Sequence, residues 1–451
     1  MNKKLLLVGL PAMMLLASCS GSSLGGINPV SKQVDFKDIV TKSSELTLLK
    51  DQVVEGFNYL SSFKMNGTTY MKHFDATGVS QKLLEEADMG FEFFSNGYVS
   101  NQNYKEKYNE STLDAGTSST KTAVTDKSVY SLEEYSDSVF NYVYREDFDS
   151  EKGENKQSYL LNERKAIGQE MLGINSFFGQ KNRDSNFEYV HSVVGKISDT
   201  KIGGYYEEKH TTAFNVDPSD APTYTQTESF YSYMEAELVG DVYQITTYES
   251  KSQLTGNIYG NVDRESISYV KLNQYEVLEE TNVTYEIKYN KDMSAFTESS
   301  DLKTLATNFP TWALDQARVV ADVYLPVIDP ETKEIVDVDS VGSYEFEAIK
   351  CGDDMHSFVS SMTNCDPTYL VRFSVVGEAR VYNEEKGLFE WKFFGEDVDL
   401  TNGDSYVGAT IDDVKYYKGN VNKVYNFSVK LAYDKEAEKG KEFSVTEFKI
   451  A

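Results

Sequence analysis

The spacing of apolar residues changes once near the start of the chain. Apolar positions first recur at steps of three or four, at Leu46, Leu49, Val53, Phe57 and Leu60. Such a stripe predicts an amphipathic helix, here over residues 44 to 62. From residue 63 onward apolar and polar positions alternate, which is typical of strands with one face in water.

Further strands are predicted along most of the remaining chain. The clearest alternations lie at 283–289 and 425–431, and shorter ones at 90–94, 139–144, 189–194, 242–248, 268–278, 344–349, 369–376, 388–394 and 443–450. Several are separated by dipeptides that tolerate positive φ, namely Asn66-Gly67, Asn96-Gly97, Lys386-Gly387, Asn402-Gly403 and Gly419-Asn420. Outside the first helix, only 159–172 and a short segment ending before Pro310 have a helical period.

These patterns predict a mainly β fold of the α+β class. Parallel strands need a helix between them, and residues 180–300 contain no convincing one, so we expect an antiparallel sheet. The break in period near Pro310 predicts two domains. Residues 33–300 would form a long antiparallel sheet with the N-terminal amphipathic helix, and residues 310–451 a smaller β domain.

The first nineteen residues have the anatomy of a secretory signal. Lys3 and Lys4 precede an apolar run that ends in Leu16, Ala17, Ser18 and Cys19. This ending resembles the lipobox of bacterial lipoproteins. The resemblance implies that residues 1–18 are removed and that the Cys19 thiol carries diacylglycerol.

The chain is expected to be extracytoplasmic and held to a bacterial membrane by that lipid. Two acyl chains anchor a protein firmly, at about 0.8 kcal/mol per buried methylene. Residues 19–32 are rich in glycine and serine and predict a flexible tether.

The charge restricts the class of partner. The 72 acidic residues outnumber the 44 Lys and Arg residues, giving a formal net charge of -28. Nucleic-acid binding depends on basic residues that replace counterions, so a nucleic-acid partner is excluded.

Two cysteines remain after Cys19, at Cys351 and Cys365. Outside the cytoplasm such a pair predicts a disulfide, which would close a loop of about 15 residues. A metal site is the alternative because His356 lies between them, but the spacing matches no compact zinc motif. Two free thiols are the third possibility.

The sequence supports no catalytic site, metal site or cofactor. The four histidines, at 73, 191, 210 and 356, are scattered, and neither a nucleophile elbow nor a phosphate-binding loop is present. Acidic pairs such as Asp337 with Asp339, Asp353 with Asp354 and Asp412 with Asp413 do not fit a calcium loop and indicate a solvated surface. Because 72 acidic residues produce many close pairs by chance, the sequence gives no evidence for or against the paired carboxylates of a glycoside hydrolase.

Two rows of aromatic residues occupy single strand faces. One contains Phe91 and Phe93, the other Phe389, Trp391 and Phe393. We interpret both as core, because Glu390 and Lys392 lie on the opposite face of the second row. The alternative for such a row is an exposed platform that binds sugars by stacking.

The helix followed by long antiparallel strands resembles lipoprotein carriers of the LolA and LppX type over residues 33–300. That resemblance implies a curved sheet around an apolar, lipid-holding cavity. We therefore expect a membrane-anchored protein that binds or carries an apolar ligand such as a lipid. The alternative is a surface binding or adhesion lipoprotein that recognises glycan or protein, and a glycoside hydrolase is less favoured; protein partners are not specified by the sequence.

The lipid anchor gives a first testable prediction. Replacing Cys19 by Ser removes the thiol that would carry the lipid, so the Cys19→Ser protein should leave the membrane fraction. Cys351→Ser removes a thiol elsewhere and should leave the fractionation unchanged. A mature wild-type N-terminus that mass spectrometry finds at another residue, or finds unacylated, contradicts the assignment.

Overall fold

The computed structural model describes residues 36–74, 80–108, 111–136, 140–179, 183–185, 188–215, 224–263, 266–293, 300–352, 354–362, 368–419 and 425–450. The predicted signal peptide, the tether, Cys19 and Cys365 lie outside these residues. The chain is mainly β, as the sequence predicted.

The strands in the first two thirds of the chain are β1 (Asp38–Ile39), β2 (Leu60–Phe74), β3 (Ser80–Phe94), β4 (Gly97–Tyr108), β5 (Ser111–Val124), β6 (Ser128–Tyr135), β7 (Tyr142–Asp147), β8 (Arg183–Asp184), β9 (Glu188–Lys196), β10 (Lys201–Phe214), β11 (Tyr224–Val239), β12 (Val242–Asp263) and β13 (Ser266–Tyr289). The remaining strands are β14 (Trp312–Ile328), β15 (Ile335–Cys351), β16 (Ser357–Met362), β17 (Leu370–Asn383), β18 (Leu388–Val398), β19 (Val407–Ile411), β20 (Val414–Lys418), β21 (Tyr425–Tyr433) and β22 (Phe443–Ile450).

The α-helices are α1 (Ser43–Gly56), α2 (Lys156–Met171), α3 (Ile174–Phe178) and α4 (Ser300–Thr307). Short 3₁₀ turns lie at Phe57–Tyr59, Ser150–Lys152 and Asp404–Tyr406. None of the helices in the described ranges is long and apolar enough to cross a membrane.

The chain divides into two compact units. Unit 1 comprises Met1–Ser119 and Ser150–Ser299, and unit 2 comprises Thr120–Asp149 and Ser300–Ala451. Unit 2 thus includes a segment from within residues 33–300, the range that the sequence pattern assigns to the first domain.

Unit 1 is an antiparallel sheet with the strand order β4, β3, β2, β13, β12, β11, β10, β9. Helices α1 to α3 cover one of its faces, and their apolar residues join those of the sheet in one core. The sheet can therefore bury an apolar face without a second sheet.

The predicted N-terminal helix is present but shorter than expected. Helix α1 ends at Gly56, the chain turns through Phe57–Tyr59, and Leu60 already begins β2. All five residues of the predicted stripe are buried. The helix continues no further because Leu60 leaves the helical backbone, with φ -60° and ψ 116°.

Two other sequence predictions have different outcomes. The predicted helix at 159–172 is confirmed as α2, and its buried face includes Leu160, Arg164, Ile167 and Met171. The prediction of a turn at Asn66-Gly67 is wrong, because both residues lie within β2 and pair with β3 and β13. Strand pairing on both sides of β2 outweighs the local turn preference of the dipeptide.

Unit 2 contains two antiparallel sheets that pack face to face. The first has the order β15, β14, β17, β18, and the second joins the end of β15 to β16, β21 and β22. Strand β15 passes between them at a register shift after Ala348. Phe373 of the first sheet and Phe427 of the second have ring centroids 5.0 Å apart, so the core lies between the sheets.

The close approach of α1 to β12 gives a prediction about unit 1. A methyl group at Gly56 would lie 2.1 Å from the carbonyl oxygen of Tyr243, a backbone atom held in the sheet. Gly56→Ala should therefore destabilise the fold by about 1 to 3 kcal/mol or more, the usual cost of overpacking. Circular dichroism of urea unfolding measures the loss.

The matched control is Gly90→Ala in β3, where the new methyl group would meet its nearest neighbours at 3.9 Å. This control should unfold at nearly the wild-type urea concentration. Equal stability of the Gly56→Ala and wild-type proteins would contradict the tight contact between α1 and β12.

Candidate functional site

Unit 2 has a cleft of about 830 Å³, most of whose lining residues belong to its first sheet. Its floor crosses β18, β17, β14 and β15, and residues around β6 and β7 form a wall. The lining combines aromatic rings with charged and amide groups: Tyr135, Phe140, Asn141, Tyr142, Asp315, Gln316, Ala317, Arg318, Glu347, Ala348, Val376, Gly377, Glu378, Phe393 and Phe394. The volume lies within the range of small-molecule binding sites.

The pleat of β17 explains why polar groups reach this cleft. Val371, Phe373 and Val375 point into the core, whereas Arg372, Ser374 and Val376 point to the other face. Farther along, Arg380 lies directly opposite Trp391 of β18, and Glu378 lies opposite Phe393.

Asp315 enters the cleft through a β-bulge. In the pairing of β14 with β17, Leu314 faces Ala379 and Gln316 faces Glu378, which leaves Asp315 as the extra residue. A bulge redirects a side chain that simple alternation would place elsewhere. Asp315 therefore lies on the same side as Arg380 and not in the core.

Arg380 is held between two aromatic rings beside the cleft. Its guanidinium carbon lies 3.5 Å from the ring centroid of Tyr142 and 4.3 Å from that of Trp391. The residue is only 8% exposed. A desolvated cation–π contact is worth about 2 kcal/mol, so the two rings offset part of the cost of burying this charge.

The remaining compensation comes from Asp315. The Arg380 Nε atom lies 3.3 Å from an Asp315 carboxylate oxygen, but it makes no hydrogen bond of good geometry within the described residues. Burial raises the pKa of Asp315, nearby Arg380 opposes this, and Glu378 adds to it. Asp315 and Arg380 thus form a largely buried ion pair beside the cleft.

Two further carboxylates, those of Glu347 and Glu378, line the cleft. In the part of the chain that the structure describes, the side chains of Glu347 and Glu378 form no ion pair or hydrogen bond. Arg318 lies opposite Glu347, and its Nε atom is 3.3 Å from a carboxylate oxygen of Glu345. The cleft therefore presents acceptors from Glu347 and Glu378 and donors from Arg318.

Two aromatic residues on one face of β18 are exposed, of which Phe393 lines the cleft and Trp391 does not. Trp391 is 47% exposed and Phe393 is 75% exposed. The interpretation of this row as core was wrong for Trp391 and Phe393, whereas Phe389 is partly buried and packs on Phe309 and Tyr382. Glu390, Lys392 and Phe394 occupy the more covered face of β18, where Phe394 packs on Phe443. The first row is core as predicted, since Phe91 and Phe93 are buried.

The other candidate residues from the sequence are not brought together into a site. His191 lies between the rings of Tyr189 and Tyr205, His210 contacts Glu208, and the His356 ring stacks on Trp312 at 3.8 Å. Within the described residues, no group of three or more metal-ligating side chains is present. His73 has no described side chain.

The cysteine prediction is not tested. Cys351 ends β15 and is partly buried, and burial raises the pKa of its thiol to about 11. Its predicted partner, Cys365, lies outside the described residues, so the disulfide stays a prediction. The metal alternative has no support from His356, whose Nε2 atom lies 2.5 Å from the carbonyl oxygen of Trp312.

The acidic pairs lie at the surface where they are described. Asp337 and Asp339 are exposed in β15. Asp412 and Asp413 form the turn between β19 and β20, and both have positive φ, at 50° and 66°. Such a two-residue turn is that of a tight hairpin and requires no ion.

Comparison with known protein families finds no family model that matches this chain, and comparison with curated proteins finds no match either.

Unit 1 contains a separate group of titratable residues. Glu279 in β13 and Glu85 in β3 are on the helix-covered face of the sheet, an even number of residues from Tyr285 and Met89 respectively. Burial raises the pKa of Glu279 to about 7, and the carboxylates of Glu85 and Glu228 add to the effect. Acidic groups on this face are not what an apolar lipid cavity requires.

The raised pKa predicts a pH dependence of stability. Glu279 binds its proton more tightly in the folded than in the unfolded chain, so its ionisation destabilises the fold as pH rises from about 4.5 through about 7. Glu279→Gln should raise the free energy of unfolding at pH 8 by about 1 to 3 kcal/mol and change it little at pH 4.5. Urea unfolding at the two pH values measures the difference.

Glu286→Gln is the matched control on the same strand. Glu286 lies on the opposite face, where its hydrogen bond with Lys288 lowers its pKa. The Glu286→Gln substitution should not raise the free energy of unfolding at pH 8. A Glu279→Gln protein with the wild-type pH profile would show that Glu279 is not buried as described.

Proposed function

We propose that this protein is a membrane-anchored extracytoplasmic binding or adhesion lipoprotein that recognises a ligand, glycan or protein, in the cleft of unit 2. The observation that supports this most is Phe393. A phenylalanine that is 75% exposed at the mouth of an 830 Å³ cleft leaves apolar area in water that a ligand would cover. The lipid on Cys19 would hold the cleft at the membrane surface.

The lipid-carrier hypothesis has less support in unit 1. A residue that lines a lipid-sized cavity keeps accessible surface, yet Val53, Phe57 and Leu60 are 0% exposed. These residues contact protein on all sides, as in a closed core. The predicted apolar ligand is therefore not assigned to the stripe of α1.

Catalysis is not part of the proposal. The cleft contains several carboxylates, but Asp315 is ion-paired and Glu347 and Glu378 lie among aromatic side chains without a positioned base or nucleophile partner. The arrangement suits recognition, in which rings give contact area and polar groups give orientation.

Binding to immobilised surfaces tests the proposal. Purified wild-type protein should bind at least one of two probes, mucin as a glycan-rich surface and gelatin as a protein surface. Replacing Phe393 by Ala should reduce binding at least tenfold, because its exposed ring supplies contact area in the cleft. Surface plasmon resonance measures the affinities.

Tyr344→Ala is the control, since Tyr344 is also an exposed aromatic residue of unit 2 but does not line the cleft. It should bind like the wild type. Wild-type affinity in the Phe393→Ala protein, or no binding of either probe, would reject the cleft as the binding surface.

A further inference from the structure

We infer that the free edge of β15, residues 335–347, is a second binding surface, on which an extended basic segment of a partner protein adds as a further strand. This edge meets the cleft only at Glu347. The inference goes beyond the proposed function and does not depend on what the cleft binds.

Strand β15 is paired on one side only over most of its length. Residues 335–347 pair with β14, and pairing with β16 begins at Ala348. Among the strands that the structure describes, no second one pairs with residues 335–347. At about 3.4 Å per residue, the edge offers a row of backbone N–H and C=O groups about 40 Å long to another chain.

The far part of this edge belongs to a two-stranded hairpin. Strand β14 pairs with β17 only as far as Tyr324, and residues 325–328 pair with β15 alone. Large apolar side chains are exposed on the hairpin at Leu325, Ile328, Val336 and Val341. Strand β15 has 17 residues and no proline, so its backbone can accept a partner strand.

The charge of the edge selects the kind of partner. Residues 335–349 contain no Lys or Arg but four acids, Asp337, Asp339, Glu345 and Glu347. Counting only partners that the structure describes, Glu345 is the one acid with an ion pair, to Arg318. The N–H of Val338 donates to the Asp337 carboxylate at 2.8 Å, so this carboxylate lies beside the backbone of the edge. A strand that carries Lys or Arg is therefore complementary to it.

The pattern of the partner follows from the two faces of β15. The register with β14 is regular from Gly342 to Glu347. Here the rings of Tyr344 and Phe346 lie on one face, with centroids 6.4 Å apart, and Glu345 lies on the other. An added strand in which apolar residues alternate with basic ones would match both faces, since side chains directly opposite each other share a face.

A second copy of this chain is a poorer partner for the edge. Antiparallel pairing of two copies centred on Gly342 would place Asp337 opposite Glu347 and Asp339 opposite Glu345. Parallel pairing in register would place every acid opposite itself. Like charges directly opposite are destabilising. The acids thus oppose self-pairing and favour a basic partner.

Fluorescence anisotropy of labelled peptides tests this inference with the purified wild-type protein at pH 7. The probe is a twelve-residue peptide that alternates lysine and valine, and it should bind. The same peptide with glutamate in place of lysine should not bind. A peptide that alternates lysine and proline has the same charge but lacks amide donors for a ladder, so it should bind at least tenfold more weakly.

Variants of the protein locate the binding surface. The double variant Asp337→Lys with Asp339→Lys should bind the lysine–valine peptide at least tenfold more weakly, because the edge then repels it. The matched control, Glu385→Lys with Glu436→Lys, makes the same change of charge at exposed positions of unit 2 away from β15. It should bind nearly as the wild type does, and circular dichroism of all variants checks that they are folded.

Several outcomes would overturn the inference. Equal affinity for the lysine–proline peptide, or equal losses in the two double variants, would show charge attraction without strand addition. A wild-type dimer in sedimentation that the Asp337→Lys, Asp339→Lys variant abolishes, with no peptide bound, would assign the edge to a second copy.

The test also separates this inference from the proposed function. Phe393→Ala should leave peptide binding unchanged. Peptide binding that Phe393→Ala abolishes and the β15 double variant does not would place the peptide in the cleft and reject the edge. Failure of mucin and gelatin to bind would reject the cleft but would leave peptide binding at the edge intact.

Discussion

An antiparallel sheet with one apolar face must cover that face, and the two units of this chain do so with different elements. Unit 1 uses α1 to α3, whose apolar residues fill the space over the sheet. Unit 2 uses a second sheet, which β15 enters after Ala348. Because the second sheet occupies one face of β14 and β17, the other face can carry charged and aromatic groups without loss to the core.

Arg380 shows how that outer face can hold a charge that is almost fully buried. An isolated guanidinium would be costly there. Tyr142 and Trp391 cover its faces, and Asp315 supplies the opposite charge at 3.3 Å. The contact also fixes Trp391, because an indole that lies on a guanidinium keeps its second face toward solvent. The exposed indole of Trp391 therefore lies on a buried, ion-paired guanidinium.

Local pattern predicted the elements of this fold better than their ends. The predictions of the α1 stripe and of the buried face of α2 are confirmed, because a helical period depends only on neighbours three and four residues away. Leu60 belongs to the same stripe but lies in β2, since the 3₁₀ turn after Gly56 redirects the chain. Asn66-Gly67 failed as a turn because β3 and β13, distant in sequence, pair with it on both sides.

The candidate site depends on pairings that alternation does not contain. Phe389, Trp391 and Phe393 alternate with Glu390 and Lys392, and this pattern is the same whether the aromatic row points inward or outward. Phe394 decides the orientation of the strand. It lies on the same face of β18 as Glu390 and Lys392, and it packs on Phe443 of β22, which is distant in sequence. The bulge at Asp315 and the position of Arg380 opposite Trp391 likewise arise only once β14, β17 and β18 are in register. The direction of a ring row on a strand that has a full partner on one side only is therefore ambiguous in sequence, and its outward orientation here places Phe393 in the lining of the cleft.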